Sequence, residues 1–124
     1  MEYLKRVLGI KVRYENETVD HLPNFIRTRY TLRRVYLDAQ KAVFLYPKSE
    51  LEQIVTLKKH LERVQKSVDC PVILVLEKIT IRQKEYLLRD KIAFIVDGKQ
   101  IYLPFMAVYL QERCDAKKID REEI

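Results

Sequence analysis

The hydrophobic residues of this chain gather in short runs separated by amphipathic stretches. Two of the runs, residues 42–46 and 71–76, carry an apolar or aromatic side chain at every position. A strand with one face in water alternates polar and apolar residues, whereas a strand covered on both faces stays apolar throughout. The two runs therefore predict central strands of a sheet that has helices on both sides.

Another pair of apolar runs flanks the dipeptide Asp97-Gly98 and is closed by Pro104. Asp-Gly accepts the positive φ angles of a type I′ turn, whose twist matches that of the flanking strands. The sequence therefore predicts a β-hairpin at this place. With a two-residue turn, the side chains expected on its core face are Ile92, Phe94, Val96, Ile101 and Leu103.

An earlier hairpin is predicted from residues 32–37 and 42–47, which are extended runs on either side of residues 38–41. Pairing about the centre of this turn sets Val35 opposite Phe44. The second arm contains the fully apolar run described above, so the hairpin brings a central strand into the sheet.

The longest amphipathic stretch predicts a helix. Ser49 followed by Glu50 and Glu52 is typical of a helix start, because serine caps the first amide groups and acids favour the positive end of the helix dipole. The helix is expected to end before Pro71, and His60 is interpreted as an ordinary surface histidine beside its charged face. The expected buried positions recur at three- and four-residue steps: Leu51, Ile54, Val55, Leu57, Leu61, Val64 and Val68.

Shorter elements are predicted elsewhere. Thr80 is a candidate cap for a helix that runs to about Asp90, with Ile81 and Leu87 turned inward. Apolar residues at helical steps predict a further helix at residues 105–113. Three elements are predicted before residue 30: a helix at residues 3–8 that ends near Gly9, a half-buried strand at residues 10–14, and a turn into a short helix at residues 22–26.

The element order predicted in this way is α-β-α-β-β-α-β-α-β-β-α. Helices alternate with strands that are apolar on both faces, which indicates an α/β fold with a mixed sheet of about five strands flanked by helices. A length of 124 residues fits one domain. We expect a single α/β domain over residues 1–114, followed by a charged tail or the start of a linker at residues 115–124.

The net charge of +6 and the isoelectric point near 9.3 admit a polyanion as partner. Basic residues are mixed with acids along most of the chain, except between Asp20 and Asp38. The basic groups in that interval are either contacts to phosphates and bases or the solvated ends of an edge strand, and the modest net charge favours the second interpretation. The candidate nucleic-acid contacts are Arg27, Arg29, Arg33 and Arg34, interleaved with Tyr30 and Tyr36.

Motifs of catalysis are few. Gly9 and Gly98 are the two glycines of the chain, which excludes a glycine-rich phosphate loop. Asp38 with Glu77 and Lys78 faintly resembles the metal site of restriction-endonuclease-like enzymes, but adjacent residues of a strand point to opposite faces, which breaks the site. We predict no catalytic residue, no metal ligand and no cofactor, and hence no enzyme. A distant, inactive relation to the restriction-endonuclease fold is left open.

Cys70 and Cys114 lie far apart in the chain and outside any CxxC or histidine-rich context, so we expect reduced thiols and no disulfide. The amino-terminal residues lack the apolar segment of a signal peptide, and no run reaches the ~20 apolar residues of a membrane span. The chain is therefore expected in the cytoplasm, without a membrane partner.

Five segments carry a likeness to a known family: residues 71–76, 89–96 and 100–105, the dipeptide Leu22-Pro23 and the strand at residues 43–47. They resemble a domain that precedes a winged-helix segment in bacterial proteins of the MarR family of transcriptional regulators. The likeness extends from residue 22 to residue 110. Its matching positions are core and turn residues, which report a shared fold more reliably than a shared activity.

The resemblance implies a non-catalytic regulatory or dimerisation domain of a transcriptional regulator, with a homodimer as the expected assembly. DNA would be read by a separate C-terminal winged helix, because no helix pair with a basic recognition helix can be placed in this sequence. By itself the chain is expected to bind DNA weakly or not at all. The alternative is a nuclease-related or other nucleic-acid-binding module that uses the basic stretch from Arg27 to Arg34.

Overall fold

The computed structural model describes residues 1–16, 19 and 21–111. Their seven strands form one mixed sheet in which the strand order follows the chain. The strands are β1 (Val12–Tyr14), β2 (Tyr30–Leu37), β3 (Gln40–Pro47), β4 (Val72–Leu76), β5 (Phe94–Val96), β6 (Gln100–Leu103) and β7 (Val108–Gln111). The helices are α1 (Glu2–Leu8), α2 (Asn24–Arg27), α3 (Ile54–Ser67) and α4 (Ile81–Arg89), with one 3₁₀ turn at Pro104–Met106.

Strand direction divides the sheet into three zones. β1, β2 and β3 pair antiparallel, β3, β4 and β5 pair parallel, and β5, β6 and β7 pair antiparallel again. Parallel neighbours need a crossover connection, which α3 and α4 supply. The predicted mixed α/β sheet is confirmed at this level, but it has seven described strands in place of about five.

The sheet is covered on both faces. α2, α3 and α4 pack on one face, termed the helical face, and α1 packs on the other, termed the α1 face. Phe44 and Leu45 are neighbours in β3, are both fully buried, and belong to different cores. The prediction that the two fully apolar runs form central strands, β3 and β4, is confirmed.

α1 ends at Gly9, as its sequence predicts. This glycine has φ +70°, in the left-handed region that it enters without the steric cost of a Cβ atom. Its N–H donates to the Lys5 carbonyl at 3.0 Å. The turn lets the chain reverse so that Tyr3, Leu4 and Ile10 are all buried on the α1 face.

α4 begins at the predicted cap. The Thr80 side chain accepts a hydrogen bond from the Gln83 N–H at 3.1 Å, and the Gln83 side chain accepts one from the Thr80 N–H at 3.0 Å. This reciprocal pair is a capping box, which satisfies two amide groups that the helix leaves open. Leu87 is buried as predicted, whereas Ile81, the first residue of the helix, is 77 % exposed.

α3 begins later than predicted. Its first residue is Ile54 and no side chain caps it, so the prediction of Ser49 as the cap is wrong. The Lys48 N–H instead donates to the Arg29 carbonyl at 2.9 Å, which continues the β2–β3 ladder. Glu52 forms an ion pair with Arg29 at 3.3 Å. These contacts hold residues 48–52 at the end of the sheet, and α3 starts only after them.

The hairpin predicted at residues 97–98 forms with a three-residue connection between β5 and β6. Gly98 takes φ +78°, and the Lys99 N–H donates to the Val96 carbonyl at 2.9 Å. A type I′ turn needs a positive φ at Asp97 as well, and Asp97 is not one of the described residues with positive φ. The predicted turn type is therefore wrong, although the hairpin itself is confirmed.

The extra loop residue moves the pairing of β5 and β6 by one position. Ile95 lies opposite Ile101. Phe94 consequently joins the helical-face core, whereas Ile101 and Leu103 join the α1-face core. The prediction that all three share one face is wrong, because a shift of one residue turns every side chain of a strand to the other face.

The β2–β3 hairpin is tighter than predicted. Val35 lies opposite Ala42, so the predicted pairing with Phe44 is wrong. Asp38 takes φ +55° in the turn, and its N–H donates to the Lys11 carbonyl at 2.8 Å. Its carboxylate also accepts from the Lys11 N–H at 2.9 Å. Lys11, the residue before β1, thus holds the turn through two hydrogen bonds. The turn has two residues, whereas the polar run at residues 38–41 predicted a turn of four.

The helix predicted at residues 105–113 is replaced by other elements over its described part. The 3₁₀ turn at Pro104–Met106 leads into β7, and Ala107 between them takes φ +57°. A left-handed residue cannot continue a right-handed helix, and β-branched and aromatic residues favour a strand. Tyr109 pairs with Tyr102 of β6, with ring centroids 5.7 Å apart. The last described element is therefore a strand.

Some predictions fall outside the described residues. The domain end at residue 114 and the tail at residues 115–124 belong to this group, as does Cys114. Cys70 is buried and forms no disulfide. Of the described helices, none combines the length and the apolarity that crossing a bilayer requires.

Candidate functional site

The four arginines predicted as nucleic-acid contacts do not share one surface. Side chains alternate along a strand, so the neighbours Arg33 and Arg34 in β2 project from opposite faces. Arg33 lies on the α1 face, with its guanidinium 4.7 Å from the centre of the Tyr14 ring. Arg34 lies on the helical face, while Arg27 and Arg29 belong to α2 and the turn after it. The basic stretch is therefore divided among three places.

Arg27 and Arg29 are engaged in local contacts. The Arg27 guanidinium donates to the Asn24 Oδ1 atom at 3.0 Å. Arg29 donates to the Phe25 carbonyl at 3.2 Å and pairs with Glu52 at 3.3 Å. These bonds tie α2 to the segment before α3, and both arginine side chains remain exposed.

His60, predicted at the surface, is buried against Tyr30. The Tyr30 Oη and His60 Nδ1 atoms are 2.7 Å apart, and the two residues are 2 % and 6 % exposed. The Phe25 ring lies beside the imidazole, with centroids 5.5 Å apart. The burial of His60 could have been predicted from the sequence, because Leu57, His60 and Val64 follow one another at three- and four-residue steps along the buried face of α3.

Burial sets the protonation of this pair. It lowers the pKa of His60 and raises the pKa of Tyr30 to about 12. Glu52 raises both pKa values and Arg29 lowers both, but each acts less than burial does. At neutral pH the contact therefore joins a phenol to a neutral imidazole. Since both side chains are closed to solvent, we assign the pair a structural role.

The acidic residues of the restriction-endonuclease-like motif lie far apart. Asp38 precedes β3, Glu77 follows β4, and these strands run parallel with Val43 opposite Val72. About ten residues of strand rise therefore separate the two carboxylates, which is roughly 30 Å. Among the described residues, no group of three His, Cys, Asp or Glu side chains could hold a metal ion.

A cleft of about 540 Å³ opens between the N-termini of α3 and α4. This volume lies in the range of small-molecule sites. Several polar groups of its wall already have structural partners, since Thr80 and Gln83 form the capping box and Glu52 pairs with Arg29. The cleft thus offers apolar area rather than reacting groups, and its apolar wall consists of Leu51, Ile54, Leu57, Tyr86 and Leu87.

The two edges of the sheet differ. β1 is three residues long, with Arg13 at its centre, and its Tyr14 hydroxyl accepts a hydrogen bond from the terminal amino group at 3.2 Å. β7 carries Val108, Tyr109 and Leu110, followed by a glutamine. No described strand pairs with its outer side. Natural sheets guard their edges with short strands, charges or proline; β7 is short, at four residues, but it has neither charge nor proline.

A row of basic and aromatic residues crosses three strands on the helical face. Arg13 of β1 lies opposite Tyr36 of β2, which lies opposite Lys41 of β3. The Arg13 guanidinium is 4.4 Å from the centre of the Tyr36 ring and pairs with Glu15 at 2.6 Å. Arg34 is two residues from Tyr36 and shares its face. We term Arg13, Arg34, Tyr36 and Lys41 the basic row.

Two features of this geometry present polar or apolar groups to solvent among the described residues: the outer edge of β7 and the basic row. The buried tyrosine–histidine pair and the capping box, by contrast, serve the stability of α3 and α4. Compared with known proteins, the chain matches no family model, no curated protein and no solved structure.

Proposed function

We propose that this chain is a non-catalytic regulatory and dimerisation domain of a transcriptional regulator, and that two copies join through β7. The observation that carries the dimer is the outer edge of β7, which has no charge, no proline and no described partner strand. The link to transcription rests on the resemblance of residues 22–110 to the domain that precedes a winged helix in MarR-family regulators. On that resemblance, DNA contact belongs to a separate C-terminal winged helix.

Backbone chemistry explains why such an edge binds a second strand. The outward N–H and C=O groups of an edge strand are bonded to water, and an added antiparallel strand satisfies them directly. The added strand also buries the side chains beside it. Tyr109 is 52 % exposed, and Val108 and Leu110 are only half-buried, so apolar area remains to be removed from water.

Alternation along β7 limits how two copies can pair. A two-fold axis perpendicular to the sheet keeps the faces of both copies aligned, so residues that meet must lie on the same face. Val108 and Leu110 pack on the α1 face, whereas Tyr109 lies opposite Tyr102 on the helical face. With Tyr109 on the axis, Val108 of each copy meets Leu110 of the other. Every pair in this register is uncharged.

The described polar groups support a binding role rather than catalysis. Around the cleft, Thr80 and Gln83 cap a helix and Glu52 is held in an ion pair. The carboxylates of the restriction-endonuclease-like motif lie at opposite ends of the parallel strands. A distant relation to that fold stays a prediction.

The test of this proposal is the molecular mass in solution. Sedimentation equilibrium of the chain should show a monomer–dimer equilibrium with a micromolar dissociation constant, because a four-residue strand buries less than a standard interface. The Tyr109→Lys variant should be monomeric, because two lysines would then face each other on the symmetry axis.

Val55→Lys is the matched control. It also places a lysine at an exposed apolar position, 65 % exposed in α3, the helix that connects β3 to β4. This variant should dimerise as the wild type does. A wild-type chain that stays monomeric at every concentration, or a Tyr109→Lys variant that dimerises normally, would refute the proposal.

A further inference from the structure

The sequence suggested residues 27–34 as a nucleic-acid-binding surface. In the folded chain, a different set of residues forms a basic surface. We propose that the basic row, Arg13, Arg34, Tyr36 and Lys41, binds single-stranded nucleic acid. Of the four arginines predicted from the sequence, only Arg34 belongs to this surface. The inference goes beyond dimerisation and does not depend on it.

The cations of the row surround one aromatic ring. Neighbouring strands lie about 4.8 Å apart, so Arg13 and Lys41 are roughly 10 Å apart across the sheet, with Tyr36 between them. Arg34 follows roughly 7 Å away along β2. A nucleic-acid strand in B-form carries one charge about every 3.4 Å of axis, so these cations are within reach of successive phosphates. Glu15 balances part of the Arg13 charge at 2.6 Å, and the row stays net positive.

The helices leave this end of the face open. Tyr30 and Leu45, further along the same face, are buried under α2 and α3. Exposure increases toward the β2–β3 turn, where Tyr36 is half-buried and both Arg13 and Lys41 are exposed. A ligand can therefore approach the row from solvent.

A neighbouring thiol shows that two cations of the row act on the same place. Burial raises the pKa of Cys70, and Asp69 adds to the increase, whereas Arg34 and Lys41 lower it. Arg34 and Lys41 come from different strands and yet lie close enough to act on one thiol, where Asp69 opposes them. An anion bound at this end of the sheet would be attracted by both cations and repelled by Asp69.

The shape of the surface favours a single strand over a duplex. A duplex is read by a helix or a β-ribbon inserted into a groove, whereas the row lies across the face of a sheet. Unpaired bases can stack on the Tyr36 ring, while Arg13, Arg34 and Lys41 meet phosphates. Stacking accepts every base, so little sequence preference is expected.

The test is fluorescence anisotropy of a labelled oligothymidylate titrated with the full chain at several salt concentrations. Three phosphate contacts to a single strand are expected. The logarithm of the binding constant should therefore decrease linearly with the logarithm of the salt concentration, with a slope of about 2. Affinity should therefore drop roughly 20-fold when the salt concentration is quadrupled. The double variant Arg34→Ala and Lys41→Ala should bind more weakly, with its slope reduced to about 0.7.

The matched control is the double variant Arg33→Ala and Lys99→Ala. It removes the same charge, but Arg33 lies on the α1 face and Lys99 lies in the β5–β6 connection. Its affinity and slope should equal those of the wild type. Tyr36→Leu should weaken binding without changing the slope, because it removes stacking and no charge.

Circular dichroism melts establish that each variant is folded. Lys41→Ala alone, at an exposed position, keeps the test decisive if the arginine substitution unfolds the chain, and it should reduce the slope by about 0.7. Absence of salt-dependent binding by the wild type, or equal binding by the two double variants, would overturn the proposal.

Two further measurements distinguish nucleic-acid binding from membrane binding and from dimerisation. Binding to vesicles that contain phosphatidylserine, without binding to the oligonucleotide, would assign the row to a membrane surface and overturn the proposal. Tyr109→Lys should bind the oligonucleotide as the wild type does, because Tyr109 is outside the row. Failure of the dimer proposal can thus be told apart from failure of this one.

Discussion

At the scale of single residues, the hydrogen bond between Tyr30 and His60 joins β2 to α3 inside the helical-face core. A buried polar group costs stability unless its hydrogen bonds are made, and here each ring supplies the partner of the other. The pair therefore fixes the position of α3 on the sheet. It also makes stability depend on pH and on one hydroxyl group.

The free energy of unfolding should decrease as the pH falls below about 6.5. Burial holds the pKa of His60 in the folded chain below this unfolded value, so the unfolded chain takes up a proton first. Stability is then fully present above pH ~6.5 and is lost at up to about 1.4 kcal/mol per pH unit, until the folded-state pKa is reached. Urea unfolding at mildly acidic and mildly alkaline pH measures the loss.

His60→Gln is the control for this titration. It removes the imidazole, so its free energy of unfolding should depend less on pH over the same interval, even though the variant is less stable than the wild type. An equally steep pH dependence in this variant would show that groups other than His60 dominate the effect.

The Tyr30→Phe variant should lose about 1–3 kcal/mol of stability, because it leaves the His60 Nδ1 atom buried without its partner. Tyr109→Phe removes a hydroxyl that bonds to Gln111 at 3.3 Å on the surface, and it should change stability little. Urea unfolding of both variants measures the difference. Equal stabilities would mean that the buried bond contributes nothing.

At the scale of elements, the sequence predicted the strands and helices whose formation depends on neighbouring residues. β3 and β4 follow from runs that are apolar at every position, and α4 follows from the cap at Thr80. Ser49 carries the same local signal as Thr80 but caps nothing, because the Lys48 amide is held by the sheet. Tertiary hydrogen bonds override a capping preference worth about 1 kcal/mol.

Register and strand number do not follow from local sequence patterns. The β5–β6 register depends on one additional loop residue, and Asp-Gly is compatible with more than one loop length. The segment after Pro104 shows helical spacing but forms β7, because Tyr109 finds Tyr102 across the strand pair. Pairing with a residue on another strand cannot be predicted from the periodicity of a short stretch of sequence.

Gly98→Ala should destabilise the β5–β6 hairpin by about 1 kcal/mol, because its φ of +78° is unfavourable for a residue with a Cβ atom. Apart from Gly98 and its two chain neighbours, no described residue has an atom within 4 Å of where that Cβ would be, so the cost comes from the backbone alone. Gly98→Asn should cost less, since asparagine tolerates this region better. Urea unfolding compares the two, and a larger loss for asparagine would contradict a backbone origin of the cost.

At the scale of the whole molecule, the candidate surfaces were only partly predictable. Arg34 and Tyr36 stand out as basic and aromatic neighbours in the sequence, but Arg13 and Lys41 join them only through the pairing of three strands. The β7 edge was not predictable, since the same residues were expected to form a helix. Both surfaces are products of sheet topology, which composition and periodicity do not report.

The order of strands across the sheet is also the order in which a ribosome synthesises them. When a strand leaves the ribosome, the strand with which it pairs has already been synthesised, because that strand directly precedes it among the strands of the chain. Sheets that need distant segments to meet must first close long loops, which slows their folding and exposes them to aggregation. We therefore expect this sheet to form from β1 toward β7, with each newly synthesised strand presenting a free edge to the strand that follows it in the chain.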